Sequence, residues 1–91
     1  MSHLHRCISV TGRVQGVSFR QSAITEARRL GLAATARNLP TGAVEIHIEG
    51  VRADVETFTA WAQKGPTLAR VDTCSFVDGP LQGLTGTTIL R

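Results

Sequence analysis

Two stretches of helical period, each with one apolar stripe, lie among runs of period two, and this order constrains the fold more than any other feature of the chain. Phe19, Ala23, Ala27 and Leu30 recur at helical spacing with Ile24 beside them, while Gln21, Ser22, Thr25, Glu26, Arg28 and Arg29 take the other face. Gly31 closes this helix, after two arginines that suit the negative end of its dipole. A second helix is expected from about Ala53 to Lys64. It buries Val55, Phe58 and Ala62, carries Trp61 at its border and Asp54 and Glu56 in its first turn, and stops at Gly65-Pro66.

The remaining segments read as strands. Leu4 to Thr11 places Leu4, Ile8 and Val10 on one side and Cys7, Ser9 and Thr11 on the other, broken only by Arg6 near the edge, and Gly12 ends it. Leu32 to Asn38 could continue a helix or form a strand; the Gly31 stop and the turn after it favour a strand. Asn38-Leu39-Pro40-Thr41-Gly42 then leads into Ala43 to Glu49, where Val44, Ile46 and Ile48 oppose Glu45, His47 and Glu49, and these two strands form a hairpin. Leu68 to Val77 is a further strand whose inward face stays open, because Val71 and Val77 lie on one parity and Cys74 and Phe76 on the other. A loose segment, Asp78 to Leu84, leads to a short last strand at Thr87 to Leu90. The order implies an α+β, ferredoxin-like βαββαβ sandwich, with an antiparallel sheet, two helices on one face and a short C-terminal strand added.

Ninety-one residues suffice for one core, so residues 1–91 are read as a single domain whose function sits on that scaffold. No apolar run approaches a membrane span, and the start has neither a signal-peptide nor a transit-peptide pattern, so a cytoplasmic location is expected. Nine arginines and one lysine against seven acids give +3, spread along the chain, which favours small anionic ligands without requiring nucleic acid. Cys7 and Cys74 read as small buried thiols, and no disulfide is expected.

Gly12-Arg13-Val14-Gln15-Gly16-Val17-Ser18-Phe19-Arg20 links the first strand to the first helix and reads as an anion cradle. Its glycines let the backbone converge several N–H groups, and the helix start adds its own unpaired N–H groups and positive dipole end. Arg20 sharpens the reading, because a cation in the first helical turn opposes the macrodipole by roughly 0.3 to 1 kcal/mol. An anion shared by guanidinium and amides removes that conflict. A strand-to-helix turn carrying a surface arginine is the plain alternative.

GRVQGVSFR at 12–20, Leu30-Gly31-Leu32, Arg37-Asn38-Leu39-Pro40-Thr41-Gly42-Ala43-Val44-Glu45, Gly50, and Gly65-Pro66 with Ala69 and Val71 together resemble the acylphosphatase family, in order, over roughly residues 6 to 90. The resemblance implies the α/β sandwich and hydrolysis of acyl phosphates to carboxylate and inorganic phosphate, with no cofactor and no metal. It further implies that Arg20 binds the phosphate together with the backbone amides of Gln15, Gly16, Val17, Ser18, Phe19 and Arg20, and that Asn38 positions the attacking water. Departures from the usual pattern are Ser18 in place of Gly, Ala34-Thr35-Ala36 before Arg37, Thr41 before Gly42, and Thr87 in place of an aromatic.

Such chemistry asks for position and charge rather than a covalent nucleophile, because a carboxylate leaves readily. Fixed donors aimed at the equatorial phosphoryl oxygens lower the barrier, and Arg20 is a forked, permanently charged donor. Asn38 has both donor and acceptor and suits orienting a water; taken alone it is an ordinary turn residue. His5 and His47 lie on neighbouring strands without a third ligand, so neither is assigned to a metal. Glu45 and Glu49 read as the solvated side of a strand, Arg13 and Arg37 as flanking cations, and Ser18, Ser22 and Cys7 have no base at a spacing that would make a nucleophile.

The expected partners are a small-molecule acyl phosphate and its phosphate product, with no nucleic acid, no membrane and a monomeric chain. Two other readings compete. An RNA-binding domain of the same fold would stack bases on strand aromatics, which these strands lack. A non-catalytic phosphate-binding or regulatory module, resembling the N-terminal part of larger carbamoyl-transfer proteins, would keep the loop without the activity.

Overall fold

The computed structural model describes residues 2–91. Seven elements follow in the order β1 (His3–Arg13), α1 (Phe19–Arg29), β2 (Ala33–Asn38), β3 (Val44–Val51), α2 (Arg52–Lys64), β4 (Arg70–Gly79) and β5 (Thr87–Leu90). They form one sheet of order β4-β1-β3-β2-β5. β1 pairs antiparallel with β3 and β4, and β2 pairs antiparallel with β3, which is the hairpin expected from the turn at 38–42. β5 joins the outer side of β2 in parallel, so the antiparallel sheet becomes a mixed one of five strands.

One face of the sheet carries the core. Ile8 and Val10 of β1, Ala34 and Ala36 of β2, and Val44, Ile46 and Ile48 of β3 pack with Phe19, Ala23, Ile24 and Ala27 of α1 and with Val55, Phe58 and Ala62 of α2. The helical stripes and strand parities read from the sequence are thus the ones buried. The ambiguous segment after Gly31 is a strand because Gly31, at φ +72, and the bond from Leu32 N–H to Ala27 O end α1 and turn the chain onto the sheet edge.

β1 does not end at Gly12. Its pairing with β4 shifts there: Thr11 faces Thr73 while Gly12 faces Val71, leaving Asp72 as the extra residue of a bulge. The bulge reverses the parity of β4, so Val71 and Cys74, three residues apart, both pack against the core. That reversal is why β4 shows apolar residues on both parities. Gly12 is required at the kink: its φ is +122, and a Cβ there would stand 2.2 Å from the Arg70 carbonyl oxygen.

Arg6, the apparent break in β1, belongs to the inner face and is 2% exposed. Its guanidinium donates to both carboxylate oxygens of Asp78, at 2.6 and 3.0 Å, to Thr59 Oγ1 at 3.0 Å and to Glu56, and it lies over the Phe76 ring at 3.8 Å. The hydrogen bond from Arg6 holds the Asp78 carboxyl below its ordinary range, and burial opposes it. A buried guanidinium is tolerable here because its donors are bonded to two carboxylates and a hydroxyl.

The opposite face of β1 and β3 is not uniformly solvated. Glu49 is 8% exposed, against the expectation of a solvated carboxylate, and His5 beside it is 3% exposed. The segment after β4 crosses this end of the sheet, and Glu49 accepts from the N–H groups of Gln82 and Leu84 while bonding His5 Nδ1 at 2.9 Å. Burial pushes the Glu49 carboxyl up, but these donors outweigh it and leave it below its usual value. Cys7 and Cys74 lie on opposite faces of the sheet, both as free thiols.

Candidate active site

Val44 pairs with Val10 on one side and Asn38 on the other. β1 and β2 therefore run in the same direction on either side of β3, and their C-terminal ends meet at one end of the sheet. The loop leaving β1 turns through Gly16 at φ +75 and Ser18 at φ 59, ψ 29 before α1 begins. Ser18 is the one non-glycine with positive φ among the described residues, a conformation that glycine adopts at lower cost.

The start of α1 has the polarity to receive an anion. The first helical bond runs from Ser22 N–H to Ser18 O at 3.0 Å, so the N–H groups before it have no acceptor one turn back. No side chain caps this end, and no acid lies in the first turn. Unbonded amides, the dipole and Arg20 thus present positive charge to one place.

That place is a cleft of about 350 Å³ lined by Val14, Gly16, Ser18, Phe19, Arg20, Gln21, Asn38 and Ile89. Arg20 Nη1 donates to the Leu90 carbonyl at 3.1 Å, which fixes the guanidinium against β5. Asn38, at the end of β2, lines the same cleft. Its Oδ1 is buried and has no hydrogen-bond partner, the one such side-chain atom among the described residues.

Two contacts hold the walls of the cleft in place. Gln15 Nε2 donates to the carbonyls of Leu39 and Ala43, each at 2.9 Å, and so ties the loop to the turn that follows Asn38. Phe19 is 1% exposed, packs on Trp61 with ring centroids 5.6 Å apart, and lies so close to Gly65 that a Cβ there would come within 2.5 Å of its ring. Burying such a side chain contributes about 1.5–3 kcal/mol, and here that burial pins the residue that opens α1.

The structure thus brings Arg20, Asn38, Gly16, Ser18 and Phe19 to one cleft. The side chain of Val17 packs on the core and that of Gln15 points to the hairpin turn; the expectation for these two residues concerns their backbone N–H groups. Sequence reasoning did not find the Gln15 clamp, the Leu90 carbonyl or the Ile89 wall. Nothing in the loop sequence signals the clamp, and the other two depend on the register of β5. Arg13 and Arg37 are exposed. The sheet face that an RNA-binding domain would use shows no Phe, Tyr or Trp: Phe19 and Phe58 both pack on Trp61, and Phe76 lies under Arg6.

Comparison with known proteins agrees with this geometry. The Acylphosphatase family model matches residues 7–87. Acylphosphatase from Anaeromyxobacter dehalogenans is 57% identical over 65 residues, covering 71% of this chain and 70% of that protein. Acylphosphatase from a Nocardioides species is 51% identical over 77 residues, 85% of this chain and 78% of its own. The crystal structure of acylphosphatase from Bacillus subtilis superposes with a TM-score of 0.93 at 32% identity, over 97% of this chain and 99% of that one. No helix of the described residues is long and apolar enough to cross a membrane. Family model, curated relatives and solved structure agree: this chain is a member of the acylphosphatase family.

Proposed function

We propose that the chain hydrolyses the carboxyl–phosphate anhydride of small acyl phosphates, with Arg20 and the amides of the 15–20 loop holding the phosphoryl group and Asn38 orienting the water. The phosphoryl oxygens sit at the start of α1, where Arg20 and the backbone N–H groups take up the charge that spreads over them in the transition state. The water accepts order from Asn38 and attacks phosphorus in line. The bond from phosphorus to the acyl oxygen breaks, the carboxylate departs with the electron pair, and the water proton passes to a phosphoryl oxygen. A good leaving group makes a strong general base unnecessary.

The observation that carries this reading is the single cleft that Arg20, Asn38 and the start of α1 line together. Asn38 brings to it a neutral amide with donor and acceptor whose Oδ1 is not engaged by any other protein group.

The test is hydrolysis of benzoyl phosphate in excess EDTA by the parent and by Arg20→Ala and Asn38→Ala, with folding followed by circular dichroism. The expected result is saturable hydrolysis that survives EDTA and falls at least a hundredfold in each folded variant. A folded, inactive parent that is still stabilised by phosphate would leave the cradle as a binding module and refute the hydrolytic reading.

A further inference from the structure

On the sheet face away from the helices, Cys7 of β1 stands directly opposite His47 of β3, and Glu45 lies two residues before His47 on the same face. The sequence offered His5 and His47 without a third ligand; the strand register supplies Cys7 and Glu45. We propose that Cys7, His47 and Glu45 form a Zn²⁺ site, separate from the phosphate cleft, with one coordination position left to water.

The geometry supports this at the level of ligand edges. A tetrahedral zinc ion with bonds of about 2.3 Å to sulfur and about 2.0–2.1 Å to nitrogen and oxygen separates sulfur from nitrogen by about 3.5 Å and nitrogen from oxygen by about 3.4 Å. Cys7 Sγ lies 3.6 Å from His47 Nε2, and Glu45 Oε1 lies 3.5 Å from that same nitrogen. The ligand atoms of all three residues lie within 4.8 Å of one another. Closing the sulfur–oxygen edge asks for about 1 Å of movement, within reach of the Glu45 side chain, which is 30% exposed.

His47 is also oriented as a metal-bound histidine is. Its Nδ1 bonds His5 Nε2 at 2.8 Å, and His5 Nδ1 bonds Glu49 Oε1 at 2.9 Å. With the Glu49 carboxylate as acceptor, His5 carries its proton on Nδ1 and His47 carries its own on Nδ1. Nε2 of His47 is then left as a lone pair aimed between Cys7 and Glu45. A carboxylate–histidine chain behind the ligating imidazole is the arrangement that fixes tautomer and ring angle in zinc sites. Here its inner members, His5 and Glu49, are buried. On coordination the Cys7 thiol gives its proton to solvent water, and thiolate, imidazole and carboxylate make a donor set suited to zinc.

The test is a titration of the full chain, first stripped with EDTA and dialysed, with Co²⁺ followed by Zn²⁺. One equivalent of Co²⁺ is expected to give a thiolate-to-cobalt charge-transfer band and the visible bands of a four-coordinate ion, both lost on adding Zn²⁺. Cys7→Ser is expected to abolish the charge-transfer band, and His47→Gln and Glu45→Gln to weaken Zn²⁺ binding at least tenfold in competition with a chromophoric chelator. His5→Gln, which acts through His47, should weaken it about 10- to 100-fold. Should that buried substitution unfold the chain, Glu45→Gln, at a partly exposed position, still decides the matter. Absence of the charge-transfer band, or equal Zn²⁺ affinity in the parent and in folded Cys7→Ser and His47→Gln, would overturn the proposal.

Discussion

Asn38→Ala separates the two demands that could place asparagine at the end of β2. Its backbone pairs with Val44 and needs no particular side chain, whereas its Oδ1 is buried without a partner. An acceptor that no protein group engages adds little to the fold, and alanine removes it along with a few packing contacts. Stability is therefore expected to stay within about 1 kcal/mol of the parent or to rise above it. In a domain of this length about 1 kcal/mol moves the melting temperature by roughly 4–8 °C, which denaturant titration and thermal scans resolve. Turnover of benzoyl phosphate is expected to fall about 10²–10³-fold, as when one preorganised polar group is removed from an active site. Phosphate should still raise the melting temperature of the variant, because Arg20 and the loop amides are untouched. A variant that loses more than about 2 kcal/mol of stability while its folded fraction keeps the parental turnover would show that Asn38 shapes the turn, and would refute the water-orienting role.

Ser18→Gly should stabilise the chain by about 0.5–1 kcal/mol in denaturant titration, since a non-glycine at φ 59 is strained by about 1–2 kcal/mol and glycine returns part of that as unfolded-state entropy. Gly12→Ala should cost more than about 2 kcal/mol, because its Cβ would stand 2.2 Å from the Arg70 carbonyl oxygen at a φ of +122; near-parental stability would mean that the bulge can relax. Arg20→Lys should recover little of the activity lost in Arg20→Ala, since an ammonium cannot supply the planar fork held against Leu90 O. The pH dependence of stability follows from Asp78, whose folded-state carboxyl is held low by Arg6. Its contribution is complete above the ordinary carboxylate range and is lost as pH falls through the lowered value. Asp78→Asn should accordingly lower stability at neutral pH and flatten its acid decline in denaturant titrations.

Local patterns identified the elements because each side of every helix and strand meets either the core or solvent, and that choice is written into residue spacing. The stripe of Phe19, Ala23 and Ala27 and the alternation of Val44, Ile46 and Ile48 are of this kind. So is the cradle itself: glycines before a helix with no acid in its first turn are local chemistry, and Arg20 and Asn38 are legible through their motifs. Register is different, because one residue of slippage or one bulge moves a side chain to the other face without altering the sequence. Asp72 therefore reversed the parity of β4 unseen, and β5 brought Ile89 and the Leu90 carbonyl to the cleft through its pairing alone. The same holds for Glu49, a solvent-facing residue by alternation that is buried because the segment through Gln82 and Leu84 folds over it. Sequence by itself determined which elements form and which family motifs the chain holds; tertiary structure decided which side chains meet, because long-range pairing sets their distances and no local spacing encodes it.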